Sequence, residues 1–442
     1  MNPRHQPLVN RLLGAVPWPA DALALIVAGV LVLPLLLAAF VQGRPDGVAQ
    51  SGLWRLAMAP AVIAFILAVH PRLQKRWRLA IEELNAKGME IGGAKVKFEL
   101  INEDDAADPK QGAIVAQKLV DAKVNGVIGH LNSGTTIPAS KLYADAGIPQ
   151  ISGSATNPKY TQQGFKTAFR VMANDVQQGK ILGEFAVKQG VKTVAIVDDR
   201  TAYGQGLADE FRKAAEASGL KIVATEYTTD KATDFKAILT KIKSTKAELV
   251  FYGGMDAQGG PMAKQMKELG LKASFLGGDG VCTPEFMKLG GPATDGHYCS
   301  MPGVPLEKMA KGPEFKDKFT KKYNAEIQLY APNVYDAVMV MADSMKRANS
   351  VEPAKYLPEV GKTSYEGVTA KIAFDEKGDL KGGAISLYQF KAGKLEYVET
   401  LGGEAPAAAP AAAAPAPAAA PAPAAPAAAA PAAPAAAPAE KK

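Results

Sequence analysis

Two hydrophobic rhythms alternate along residues 77–402 of this chain. Short apolar runs predict strands at Val96–Ile101, Val127–Ile128, Ile148–Ile151, Thr167–Val171, Thr193–Val197, Lys221–Glu226, Glu248–Tyr252 and Ser274–Gly277. Between them, apolar residues recur at helical spacing in Arg78–Lys87, Lys110–Ala122, Asp175–Gln189, Leu207–Ser218, Phe235–Ser244 and Pro261–Leu269. Regular strand–helix alternation predicts an α/β fold with doubly wound parallel sheets. The series is too long for one sheet, so two lobes with a cleft between them is the economical arrangement.

The densest candidate chemistry lies in Gly126–Tyr160. The run Val127-Ile128 ends in the polar stretch His130–Thr136, before a helix expected to open at Pro138. The next run ends in Ser152-Gly153-Ser154-Ala155-Thr156, with Asn157 as the expected N-cap and Pro158 at the first helical position. Ligands of open parallel sheets sit beyond the carboxyl ends of the strands. Free N–H groups there, joined by Ser and Thr hydroxyls, suit a small carboxylate. The plainer reading is two ordinary turns, in which Ser, Gly, Thr and Asn are common.

The flanks differ in kind. Residues 1–76 form a membrane-like segment in which Ala22–Gly43 carries no charge and is long enough to span a bilayer. A second apolar run, Leu56–Val69, is short for a span; by the distribution of Arg and Lys, two spans would leave the globular part in the cytoplasm and one would leave it outside. A third reading makes Ala61–Val69 a buried strand. The expectation is therefore one or two hydrophobic helices. Residues 403–442 are almost only Ala and Pro, a composition that cannot bury a core and predicts a disordered, partly polyproline-II tail.

Composition narrows the function classes. The net charge of +7 comes from 51 Lys and Arg interspersed with 44 Asp and Glu, a solvated surface and not a nucleic-acid face. The pairs Gly253-Gly254, Gly259-Gly260 and Gly277-Gly278 fit neither a dinucleotide fingerprint nor a P-loop, and no nucleophile elbow, kinase set or metalloprotease motif occurs. Two cysteines, Cys282 and Cys299, and four unclustered histidines offer no metal-ligand spacing. The cysteines are either one disulfide or two buried thiols. Expected, then, is a binding protein with no cofactor, no metal and no catalytic residue.

The motifs in order, LAIEELNAKG, NEDDAADPKQG, GVIGHLNSGTT, PASKLYADAGIP, DDRTAYGQGLA, FYGGMDAQG, FLGGDGV and FDEKGDLKGG, resemble the periplasmic leucine/isoleucine/valine-binding proteins, type I substrate-binding proteins of ABC transporters. The resemblance covers about 79–402. It implies two Rossmann-like lobes joined by three crossovers, placed near Phe169–Val171, Tyr298–Ser300 and Ala370. Lobe 1 would be 77–169 plus 301–369 and lobe 2 would be 170–300 plus 370–402. It implies further that Ser133 binds a ligand carboxylate, that Ser154, Ala155 and Thr156 form the second carboxylate and ammonium loop, that Tyr203 and Tyr252 close on the ligand, and that Asp279 receives the α-ammonium. Read alone, Tyr203 is a turn aromatic, Tyr252 a core residue and Asp279 a loop acid.

The chain also departs from the family pattern. Ala107 and Asn132 stand where relatives carry a first-lobe disulfide, so any bridge falls to Cys282–Cys299. The family's first strand and its ligand-contacting loop are replaced by the membrane-like segment, which puts the integrity of lobe 1 in question. The function expected from the resemblance is amino-acid capture, branched-chain or otherwise aliphatic, for delivery to a permease. The protein is expected to act as a monomer in the periplasm, tethered to the inner membrane. The alternatives are a membrane-tethered amino-acid sensor, or a fusion or truncated homologue with impaired binding.

Overall fold

The computed structural model describes residues 71–403 except 328. The two N-terminal apolar runs, the Ala61–Val69 strand reading and the Ala/Pro tail lie outside those residues. Among the described residues, no helix is long and apolar enough to cross a membrane.

In chain order, helix α1 (Pro71–Lys87) leads to the hairpin β1 (Met89–Ile91) and β2 (Ala94–Val96). A parallel sheet follows, built from α2 (Pro109–Asp121), β3 (Val127–Ile128), α3 (Ser133–Asp145), β4 (Gln150–Ser152), α4 (Lys159–Gln162) and β5 (Ala168–Arg170). Its three strands lie in the order β3-β4-β5. The second series runs α5 (Asp175–Lys188), β6 (Thr193–Asp198), α6 (Ala202–Ala217), β7 (Lys221–Tyr227), α7 (Lys236–Thr245), β8 (Leu249–Gly253), α8 (Asp256–Glu268), β9 (Ser274–Gly277), α9 (Pro284–Gly290) and β10 (Tyr298–Pro302). The chain then returns through α10 (Gly312–Tyr323), α11 (Ala331–Arg347), α12 (Pro353–Gly361), β11 (Ser364–Glu366) and β12 (Lys371–Ala373) before ending in β13 (Ala384–Lys391) and β14 (Lys394–Gly402). The second sheet has seven strands in the order β14-β13-β10-β9-β8-β6-β7.

Alternating side chains give each sheet two buried faces. In β6, Val194 and Ile196 pack against Leu182, Phe185, Leu207 and Phe211 of α5 and α6. Ala195 and Val197 face the opposite way, onto Leu239, Ile242, Met262 and Met266 of α7 and α8. The first sheet is likewise covered: Ile151 and Phe169 meet Ala337, Val340 and Met341 of α11, while Val127 meets Ala116 and Tyr143 of α2 and α3.

Four expectations are corrected. The second sheet is mixed, because β13 pairs antiparallel with both β10 and β14. The strand expected at Val96–Ile101 has a ladder only as far as Val96. Beyond it the chain joins no strand pair among the described residues, and Leu100 and Ile101 are exposed, so alternation there is unsupported by a neighbour. Helix α3 begins at Ser133 and α8 at Asp256, which leaves Pro138 and Pro261 inside them. A proline's missing N–H costs only one ladder bond, so it does not fix the start of a helix. Likewise α6 opens at Ala202, drawing Tyr203 out of the loop and into its first turn.

Cys282 and Cys299 are bonded, tying the turn after β9 to β10. The bridge closes a separation of 17 residues, for which the chain-entropy account gives roughly 3 kcal/mol. We predict that Cys282→Ala/Cys299→Ala lowers the urea-unfolding free energy by about that amount, with a somewhat steeper denaturant slope as the unfolded chain expands; a loss confined to a few tenths would show that the bridge constrains nothing.

Candidate functional site

The hydroxyl-rich loops come together as neighbours. Ser154 Oγ donates to Leu131 O at 2.8 Å, and Ser133 Oγ accepts from Asn157 N at 3.2 Å. Ser152 Oγ accepts from Ala155 N at 2.9 Å, which holds the second loop tightly curled. Asn132 provides no side-chain cap to α3. The N–H groups of Thr135 and Thr136 donate to Asn132 O, and those of Ser133 and Gly134 are left as donors at the helix's positive end. Ser133, Ser154, Ala155 and Thr156 thus share one buried polar corner, in which the Ser154 hydroxyl and the Ala155 N–H are already engaged within the protein.

On the second sheet, Tyr203 and Asp279 meet directly. Tyr203 donates its hydroxyl hydrogen to Asp279 Oδ1 at 2.9 Å, while its oxygen accepts from Gly280 N at 2.9 Å. Gln178 Nε2 also donates to Asp279 Oδ1 at 2.9 Å, and Gln178 Oε1 accepts from Ser300 Oγ at 2.7 Å. Tyr330, at the start of α11, reaches the other Asp279 oxygen. Its backbone takes φ +67°, the left-handed region that costs a non-glycine residue about 1 kcal/mol or more. Burial pushes the Asp279 carboxyl up, and the hydrogen bonds from Tyr330, Gln178 and Tyr203 oppose that push.

Tyr252 does not join this group. It lies wholly within the core formed with Met262, Phe275 and Phe286. Its hydroxyl has no hydrogen-bond partner in the protein; neither has Asp199 Oδ2. Both point to one place, since a Cβ on Gly254 would stand 2.3 Å from the Tyr252 hydroxyl and 2.8 Å from Asp199 Oδ2.

Sequence reasoning passed over Asp175. It opens α5, its N–H donates to Thr156 O at 2.9 Å, and it is inaccessible to solvent. Its carboxylate lies beside the Thr156 hydroxyl and Gln178, whose hydrogen bonding only partly offsets its burial. Burial, reinforced by the Asp279 charge, pushes its carboxyl up to about 8. Buried acceptors left under-satisfied are costly, and such groups are common where a protein meets a ligand. Nothing in the sequence set Asp175 apart, because an acid in the first turn of a helix is commonplace. Gln178 and Tyr330 escaped for a related reason: each acts through a partner far away in sequence.

Among the described residues no cluster of His, Cys, Asp and Glu could hold a metal ion. The site's tools are hydrogen-bond donors at one end and two carboxyls at the other.

Comparison with known proteins bears on the same region. Residues 72–394 match the family model described as periplasmic binding protein. A Leu/Ile/Val-binding protein homolog 1 from Brucella melitensis is 37% identical over 335 residues, spanning 74% of this chain and 88% of the relative. The leucine-, isoleucine-, valine-, threonine-, and alanine-binding protein of Pseudomonas aeruginosa is 34% identical over 313 residues, 71% of this chain and 83% of its own. Among solved structures, the branched-chain amino acid transporter substrate binding protein LivJ of Streptococcus pneumoniae, in complex with isoleucine, superposes with a TM-score of 0.68 at 29% identity, covering 74% of this chain and 93% of that one. A substrate-binding protein of an ABC transporter from Desulfitobacterium hafniense, in complex with Leu, gives 0.63 at 26% identity, covering 73% and 94%.

Asp175 also governs a pH dependence. Its folded carboxyl holds a proton up to about pH 8, whereas an unfolded one loses it near the ordinary value of about 4. Folding therefore takes up a proton between those limits, and stability falls as pH rises through them. Asp175→Asn should remove this component and melt above the parent chain at pH 8, with little difference at pH 4. Equal melting temperatures at pH 8 would show that the carboxyl ionises freely in the folded protein.

Proposed function

The chain belongs to the periplasmic binding protein family, and on that premise we propose that it is the substrate-binding component of an ABC transporter, capturing a branched-chain or other aliphatic amino acid for a membrane permease. The observation that carries this reading is the pairing of a polar corner, with the Ser133 and Thr156 hydroxyls and the start of α3, with the buried carboxyls of Asp175 and Asp279. A zwitterion complements both ends at once, and each charge is compensated once water is excluded. The relatives solved with isoleucine and with Leu support the choice of ligand class.

In this reading the α-carboxylate lies against Ser133 and the first-turn N–H groups of α3. Ser154, Ala155 and Thr156 flank both charged ends, and the ammonium sits between Asp175 and Asp279. Tyr203 orients Asp279 and closes over the ligand, with Tyr330 covering it from the other side. Tyr252 supports the cleft from within the core. The lobes would divide as 77–169 plus 301–369 and 170–300 plus 370–402, turning about the crossovers. Binding selects the closed arrangement, and the closed form docks on the permease. No bond is made or broken. The uncharged run Ala22–Gly43 would keep the protein, acting as a monomer in the periplasm, at the inner membrane.

An ammonium beside Asp175 favours its ionised form, so at pH 7 binding expels a proton and affinity rises toward pH 8. The test is calorimetric titration of the full chain in detergent with leucine, isoleucine and valine, repeated in buffers of different ionisation enthalpy. We expect saturable binding of micromolar strength or tighter, with a buffer-dependent heat reporting proton release. Asp279→Ala should weaken it by about 100-fold, the order expected when a buried charge loses its partner. Absence of binding to all three amino acids would overturn the assignment of ligand class.

A further inference from the structure

Asn157 stands where the two sheets meet. Its backbone carbonyl accepts from Arg170 Nη2 at 3.0 Å and its N–H donates to Ser133 Oγ, so its frame is fixed from both sides. Its side-chain Oδ1 accepts from Lys159 N at 2.8 Å. With the oxygen taken, the amide nitrogen has to face the other way. There Nδ2 donates to Ala202 O at 2.5 Å. Ala202 opens α6, which packs on the seven-stranded sheet, whereas Asn157 follows β4 of the three-stranded one. One buried amide therefore joins the two halves.

The opposing surface is shaped to receive it. A Cβ at Gly206 would lie 2.2 Å from Asn157 Nδ2 and 3.0 Å from its Cγ. Gly206 lies within α6 and is absent from the residues of positive φ, so contact, and not backbone conformation, requires glycine there. Behind Asn157, Arg170 connects to the segment that leads into β13: its Nε donates to Asp379 Oδ1 at 2.5 Å.

We propose that Asn157 is the closure latch of this protein, a positioning residue that holds the two halves together over the ligand, with Arg170 and Asp379 anchoring it to the crossover. The proposal rests on the amino-acid-binding reading for its consequence, though not for its geometry. Apparent affinity scales with the fraction of molecules in the binding-competent arrangement. A latch acting only in the closed state slows ligand escape and leaves ligand entry unchanged.

Two variants separate this from a merely structural role. Asn157→Asp keeps the oxygen that caps Lys159 and replaces the donor facing Ala202 O by a second acceptor. Gly206→Ala places a methyl group in the amide's path while favouring the helix it belongs to. In the full chain in detergent, nitroxides attached at exposed positions through Gln162→Cys and Glu216→Cys report the distance between the halves, the native cysteines being paired. Without added amino acid, both variants should shift the distance distribution outward. Stopped-flow with leucine should show dissociation about three- to tenfold faster, the worth of one hydrogen bond, at unchanged association rate. Gly206→Ala should keep the parental melting temperature. If leucine binds the parent chain and neither distances nor dissociation rates move in the variants, the latch is refuted and the ligand assignment stands. If distances move but the parent chain does not bind leucine, the latch stands and the ligand assignment fails.

Discussion

A guanidinium wholly removed from water holds this structure together. Arg170, the last residue of β5, has no solvent exposure. It spends its donors on Asp379 Oδ1, the carbonyls of Ala155 and Asn157, and the hydroxyl of Thr161. An ion taken out of water is tolerable only when paired and fully hydrogen-bonded, and a planar fork with fixed donor directions meets that condition where a lysine would not. The partners are not local. Two are main-chain oxygens of the Ser152–Asn157 loop, and the carboxylate lies more than two hundred residues along, in the segment between β12 and β13. The curl of the Ser152–Asn157 loop and the course of the returning chain are therefore set by one side chain.

The site spends stability that the two cores supply. Asp175 and Thr156 keep under-satisfied buried polar atoms, and Tyr330 sits in a left-handed backbone conformation. Such groups cluster where a protein must recognise something other than itself. The arrangement also divides the labour between two acids. Asp279 is held by Gln178, Tyr203 and Tyr330, so its position is fixed before any ligand arrives. Asp175 has weaker support, and burial pushes its carboxyl up to about 8.

Much of the fold was legible because its signals are local: short apolar runs for β4, β6 and β8, and helical spacing for α2 and α5. The hydroxyls of Ser133, Ser154 and Thr156 were legible for the same reason, since they mark the ends of neighbouring strands. Failures occurred where a distant partner decides. Leu100 and Ile101 have the alternation of a strand, but a strand exists only if something pairs with it. Tyr252 looks like its neighbour in role Tyr203, yet lies in the core, because the side chain at that register of β8 faces α8 and not Asp279. Asn157 is expected to cap a helix opening at Pro158, but Pro158 itself holds the N-cap of α4, and the cross-sheet contact of the Asn157 amide has no sign in its spacing.

The two sheets differ in size, and that difference reaches into kinetics. Within the described residues one sheet has seven strands and the other three, the latter with strands of two and three residues. Opening free energies within one protein follow such differences in pairing and burial. The smaller sheet is the half whose amides would exchange first, and it carries the donor loops. A bound molecule touching both halves lends the weaker one the cooperativity of the stronger, so occupancy, and not the apolar core alone, would set the lifetime of that half against local unfolding and proteolysis.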